Sequence, residues 1–152
     1  MLSLVLKADF DRILSWVTPR FKTLSGDSLL ITGAAGFVGS YLMDLMVYAN
    51  EHYFTRPVRV IGVDNWVAAS RQPALGPDVA LTRNVLDYHA DWGIHAASIA
   101  SPKLYMAKPL ETIEANVNLT RRILEWSTQA KSVLHLSTSE VYGDTPNVPT
   151  PE

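Results

Sequence analysis

Apolar residues follow two rhythms along this chain. Near its start, Leu6, Phe10, Ile13, Leu14 and Val17 recur at helical spacing, so residues 2–17 are predicted to form an amphipathic helix that stops near Pro19. Ser25-Gly26-Asp27 marks a turn. Short unbroken apolar runs then alternate with helical periodicity. Leu29-Leu30-Ile31 predicts a first strand at 28–32, and Val38, Leu42, Leu45, Met46 and Ala49 predict a helix to about residue 54. Arg56-Pro57 breaks that helix, and residues 58–63 read as a second buried strand ending at Asp64. Residues 65–77, with Pro73, Gly76 and Pro77, read as loop. A short third strand is predicted at 79–81 and a fourth at 92–97. Pro109 opens a helix over 110–129, with Ile113, Val117, Leu119, Ile123, Leu124 and Trp126 facing inward. Residues 132–137 form a fifth strand, and the proline-rich tail 146–152 is irregular.

Strands alternating with helices define an α/β fold, a parallel sheet covered on both faces. The junction of the first strand and its helix carries the candidate chemistry. Gly33, Gly36 and Gly39 stand at three-residue spacing in Thr32-Gly33-Ala34-Ala35-Gly36-Phe37-Val38-Gly39. Such a turn aims backbone N–H groups and the positive end of a helix dipole at one spot, which suits a pyrophosphate. Asp64 closes the next strand, where an acid accepts hydrogen bonds from the ribose hydroxyls of a dinucleotide and repels a 2′-phosphate. NAD is therefore expected in preference to NADP. Arg71, in the following loop, reads as a solvated arginine.

Composition narrows the choice. Net charge is −2, from 13 basic and 15 acidic residues, which gives no electrostatic footprint for nucleic acid or an anionic membrane. There is no cysteine, so no disulfide or thiolate chemistry, and a cytoplasmic location is expected. Residues 1–26 do not read as a secretory signal, because Lys7, Asp9, Asp11 and Arg12 interrupt the apolar positions. His52, His89, His95 and His135 show no metal-ligand spacing, and His95 and His135 read as hydrogen-bonded core residues. Trp16, Trp66, Trp92 and Trp126 are too scattered for a base-stacking platform.

Four motifs in order resemble one family. The glycine run looks like the cofactor fingerprint of extended short-chain dehydrogenases/reductases, and Val63-Asp64-Asn65 matches their ribose-binding strand end. Residues 134–144, which include Ser137-Thr138-Ser139-Glu140-Val141-Tyr142-Gly143, are similar to the active-site strand of members that modify nucleotide sugars. Residues 95–106 look most like UDP-glucuronate decarboxylases. The resemblance covers residues 28–145. It implies a doubly wound, Rossmann-like NAD-binding domain at 27–145 that stops after the fifth strand, with residues 1–26 as a helical extension.

The resemblance also assigns roles. Gly33, Ala35, Gly36, Phe37, Val38, Gly39, Asp64, Asn65, Ala96, Ala97, Ser98 and Ser137 are placed at NAD. Asn84 and Val85 would flank the adenine, with the Asn84 amide oxygen accepting from the adenine amine. Asn116 matches the family's structural asparagine, and a solvent-facing asparagine fits the sequence equally. Thr138 matches the hydroxyl on the sugar's reacting oxygen, and Glu140 matches a general acid/base, with Ser139 between them. Ser101 and Tyr105 would face the sugar. Dehydratases of dTDP-glucose carry an aspartate at the place of Ser139, so 4,6-dehydration is disfavoured. Oxidation at C4 of a uronic acid sugar gives a β-keto acid that loses carbon dioxide readily, and returned hydride closes a redox-neutral cycle. The implied partners are a UDP- or dTDP-linked sugar and a second subunit docked through the helix at 110–129.

One departure is decisive for catalysis. The family's Tyr-x-x-x-Lys pair is absent, because Tyr142 belongs to the Val-Tyr-Gly turn and position 146 is Pro146. The 152 residues are thus expected to be the NAD-binding part of a decarboxylase, epimerase or dehydratase, inactive alone. A stand-alone NAD-binding sensor or subunit, and a structural domain whose glycines only shape a turn, are the alternatives.

Overall fold

The computed structural model describes residues 4–17, 19–68, 72–73, 75–84 and 88–144. Five parallel strands form one sheet in the order β3-β2-β1-β4-β5: β1 is Ser28–Thr32, β2 Arg59–Val63, β3 Val79–Thr82, β4 Trp92–His95 and β5 Ser132–His135. The order reverses between β1 and β4, so a crevice opens at their C-terminal ends. Helix α2 (Phe37–His52) joins β1 to β2, and α5 (Leu119–Ser127) precedes β5.

Alternation along β1 sends its side chains to two cores. Leu29 and Ile31 pack with Met43 and Met46 of α2 and with Val58 and Val60. Leu30 turns to the opposite face, where it meets Ile61, Val63, Ile123 and Trp126. β1 and β2 are thus buried almost throughout, as strands covered on both faces must be.

The N-terminal helix α1 (Leu4–Trp16) docks on α2 through Phe10, Leu14, Leu45, Tyr48 and Ala49. The Phe10 ring meets Tyr41 edge-on at 5.2 Å and Tyr48 at 5.5 Å. Tyr41 Oη donates to Asp9 at 3.2 Å and Tyr48 Oη to Asp11 at 2.7 Å, which tethers α1 on either side of that ring.

The structure revises several expectations. Residues 102–107, for which the sequence pattern predicts no element, form helix α3 (Pro102–Ala107), with Pro102 at the start where its missing N–H is harmless. Short 3₁₀ helices span Pro19–Leu24 and Ser139–Tyr142. The helix expected over 110–129 is three pieces: α4 (Pro109–Ile113), a π-turn (Glu114–Asn118) and α5. Only part of its expected inward face is covered. Ile123 and Trp126 are buried and Leu119 is half-buried, whereas Ile113, Val117 and Leu124 are exposed. A π-turn spends an extra residue per turn, so it slips the apolar stripe that regular spacing would align. The expected proline-rich tail lies outside the described residues.

Candidate cofactor site

The site begins where β1 runs out. Gly33 has φ +72°, a left-handed state that a side chain makes costly, and a Cβ there would lie 2.8 Å from the Ala96 carbonyl oxygen. The Gly33 and Ala34 N–H groups donate to the Val63 carbonyl at 2.8 and 3.2 Å, which pins the turn to the end of β2. Gly36 then caps α2 in an extended conformation, with no side-chain cap and no acid in the helix's first turn. The helix's positive end is left for an external anion. A Cβ on Gly39 would run into the Gly33 carbonyl oxygen, so turn and helix approach closer than any other residue permits.

Asp64 follows β2 and organises the neighbouring backbone. Its Oδ2 accepts the Ala35 N–H at 2.8 Å and its Oδ1 accepts the Trp66 N–H at 2.7 Å. Trp66 itself has φ +60°, uncommon for a bulky residue, and the Arg83 guanidinium lies 5.3 Å from the centre of its ring. The wall beside the acid is therefore an arginine stacked on a tryptophan.

These strand ends enclose a cavity of about 270 Å³. Gly33, Gly36, Asp64 and Asn65 line one side, Ala96, Ala97, Ser98 and Ile99 the second, and Glu114, Ala115, Leu119 and Arg122 the third. Seven of the residues expected at NAD thus meet around one space. Arg83, Glu114 and Arg122 were not foreseen, since an isolated charged residue carries no pattern that marks it as part of a wall.

The other expected residues are placed as follows. Phe37 and Val38 open α2 and are exposed. Asn84 Oδ1 accepts from Arg122 at 2.8 Å, so the oxygen expected to meet an adenine amine already faces a guanidinium. Arginine only donates, which fixes the orientation of that amide. Asn116 is exposed within the π-turn. Ser137, Thr138, Ser139 and Glu140 are exposed beyond β5, where Thr138 Oγ1 accepts the Glu140 N–H at 3.3 Å. Ser101 precedes α3 and Tyr105 lies on it, both exposed. None of these six contributes to the cavity wall. Val85 and Arg71 lie outside the described residues.

The two strand histidines part company. His95 is buried, with Nδ1 2.6 Å from Thr32 Oγ1 and Nε2 2.9 Å from Thr120 Oγ1. Burial, and to a smaller degree the neighbouring His135 ring stacked at 5.0 Å, push its pKa down to about 4. His135, expected in the core, is exposed, because among the described residues β5 pairs only with β4. Among the described residues no group of three or more His, Asp or Glu is placed to hold a metal, and no helix is long and apolar enough to cross a membrane.

Known proteins resemble this chain in sequence and in fold. The model of the NAD dependent epimerase/dehydratase family matches residues 29–152. UDP-glucuronic acid decarboxylase 1 of Danio rerio is 38% identical over 123 residues, 76% of this chain and 28% of that protein. UDP-N-acetyl-alpha-D-glucosaminuronate decarboxylase of Bacillus cytotoxicus is 34% identical over 126 residues, 75% of this chain and 37% of that protein. The chain thus spans roughly a third of the length of these relatives. Among solved structures, a dTDP-glucose 4,6-dehydratase from Streptomyces venezuelae with NAD bound is 25% identical, with a TM-score of 0.61 over 79% of this chain and 42% of that one. An epimerase from Methanothermobacter thermautotrophicus, 20% identical, shares the fold with a TM-score of 0.71 over 86% of this chain and 41% of that one. Matched across its sheet, its glycine turn and the strand end that bears Asp64, the chain belongs to the NAD dependent epimerase/dehydratase family.

Proposed function

We propose that this chain seats NAD for an enzyme that decarboxylates a nucleotide-linked uronic acid sugar. The 38% identity to a UDP-glucuronic acid decarboxylase carries the reading of the reaction. The fit of the cofactor rests on the glycine turn, whose Gly33 and Gly39 allow a close backbone approach that a Cβ would block, and on the cavity that opens beside it.

Bound NAD supplies a hydride acceptor that later returns the hydride. The chain's own residues do the rest. Gly33, Ala35 and Gly36, whose N–H groups bond within the turn, bring its backbone up to the pyrophosphate, and Phe37, Val38 and Gly39 present the N–H groups at the positive end of α2 to it. Asp64 and Asn65 hold the adenosine ribose, while Ala96, Ala97, Ser98 and Ser137 line the passage toward the reacting end. Asn84 and Val85 border the adenine, with Asn84 oriented by Arg122. Thr138 hydrogen-bonds the sugar's reacting oxygen, and Glu140 moves a proton to or from the substrate, with Ser139 beside them. Ser101 and Tyr105 border the sugar. Ser139 offers no acid near neutral pH, which favours decarboxylation over dehydration. The same reading places the enzyme in the cytoplasm as a homodimer, with exposed Leu110, Ile113, Val117 and Leu124 as the contact.

The test is to incubate the whole protein that carries this segment, with NAD, against UDP-glucuronic acid and dTDP-glucose separately. Carbon dioxide release and a UDP-pentose from the first substrate are expected. A 4-keto-6-deoxy product from the second, with no carbon dioxide from the first, would replace decarboxylation by dehydration. Binding of NAD with neither product would leave a cofactor-binding subunit.

A further inference from the structure

Each polar partner of the His95 ring sits next in sequence to the wall of the cavity. Thr32, on Nδ1, immediately precedes Gly33; Thr120, on Nε2, immediately follows Leu119; His95 itself immediately precedes Ala96. Thr32 Oγ1 also accepts the Ala97 N–H at 3.3 Å, so one hydroxyl joins the ends of β1 and β4. The ring is 2% exposed and Thr32 0% exposed.

Packing alone does not call for this arrangement. An imidazole withdrawn from water destabilises the fold unless both nitrogens find partners, whereas an apolar residue would fill the space without that demand. Both nitrogens are satisfied, and by hydroxyls, which can donate or accept and so suit the neutral ring in either tautomer. The clearance between the joined strand ends is small, since a Cβ on Gly33 would already touch the Ala96 carbonyl at 2.8 Å. A small relaxation of β1 against β4, or of α5 against either, would change the width of the cavity.

We propose that His95 is a positioning residue, clamping the glycine turn, the end of β4 and α5 at the separation that the dinucleotide requires. It touches no ligand. Its effect passes through Thr32 and Thr120 to Gly33, Ala96, Ala97 and Leu119. The inference rests on the reading that this cavity takes NAD.

The test is calorimetric titration of NAD into the full protein and its variants Thr120→Val, Thr120→Ser and His95→Gln, with thermal unfolding of each. Thr120→Val removes one arm of the clamp and keeps the shape. It is expected to weaken NAD binding about tenfold, the scale of one buried hydrogen bond lost at a tightly set site. Thr120→Ser restores the hydroxyl and should restore the affinity, which a role in packing alone would not require because serine also lacks the methyl group. Once the ring is lost in His95→Gln, Thr120→Val added to it should weaken binding no further. Unchanged affinity in both Thr120→Val and His95→Gln, with the native protein binding NAD, would overturn the clamp and leave the cofactor reading intact. Failure of Thr120→Ser to recover affinity would overturn it too. If the native protein takes up no NAD, the cofactor reading falls and the clamp falls with it.

Discussion

Asp64 reaches back from the end of β2 to the Ala35 N–H, 2.8 Å away, and so ties the acid to the middle of the glycine turn. The same carboxylate holds the Trp66 N–H, so it shapes both the glycine turn and the loop that follows β2. Asp64→Asn keeps the outline but exchanges one acceptor for a donor. NAD affinity should fall about tenfold or more, as hydrogen bonds to a charged group are lost, and the preference for NAD over NADP should shrink. Titration with both dinucleotides measures it; an unchanged preference would place the ribose contact elsewhere.

Gly39→Ala probes the closeness of α2 to the turn. The added Cβ collides with the Gly33 carbonyl, a backbone atom that cannot step aside. The expected loss of stability is about 1–3 kcal/mol, the range for an overpacked site. NAD binding should fall with it. An alanine variant with native unfolding midpoint and native affinity would contradict this packing.

Acid should destabilise the protein in two stages. His95, ordinarily at 6.5, is held at about 4 in the fold by burial and by His135. The unfolded chain therefore takes up that proton first, and stability present above pH 6.5 is lost as pH falls toward 4. Asp91 is held at about 2, against an ordinary 3.8, by hydrogen bonds from the Ser28 hydroxyl and N–H and from Lys131. Its contribution is present above 3.8 and is lost toward pH 2. Urea midpoints across this range should fall in both windows, and His95→Gln should flatten the upper one. A slope there that survives His95→Gln would assign the first stage to another group.

Phe10→Ala tests the docking of α1. The ring is fully buried between Tyr41 and Tyr48, so truncation should destabilise by about 3–5 kcal/mol if α1 and the sheet unfold together. Loss of α1 helicity with the main unfolding transition unmoved would show that α1 is a separate unit.

Glu140→Gln addresses the chemistry in the whole enzyme. Turnover should drop at least about a hundredfold, the usual reach of a general acid/base, while NAD affinity stays unchanged. Native turnover would remove Glu140 from the mechanism.

The half of the site nearest the start of the chain was legible because its signals are backbone signals. An unbroken apolar run, glycines at the turn and an acid after the next strand each follow from local geometry, and β1, α2, β2 and Asp64 stand where they predict. The far wall was less legible. The π-turn at Glu114–Asn118 shifts the helical phase, so Ile113, Val117 and Leu124 point away from the core that their spacing suggests. His135 looks like core in sequence, yet among the described residues β5 lies at the edge of the sheet, and a pattern of apolar residues does not say which strand will. Arg83 and Arg122 become part of the site through contacts with Trp66 and Asn84, which no local pattern encodes.

The strand order has a consequence in time. Thr32 and His95 stand 63 residues apart, yet their strands are neighbours and their bond lies one residue behind the cavity wall on each strand. Pairing β1 with β4 is a long-range step that must wait until the intervening chain has been accommodated. The dinucleotide site therefore does not exist in any half-folded precursor. Cofactor added to a refolding protein should leave the early phases untouched and act only on the finished sheet, drawing the equilibrium toward it by mass action.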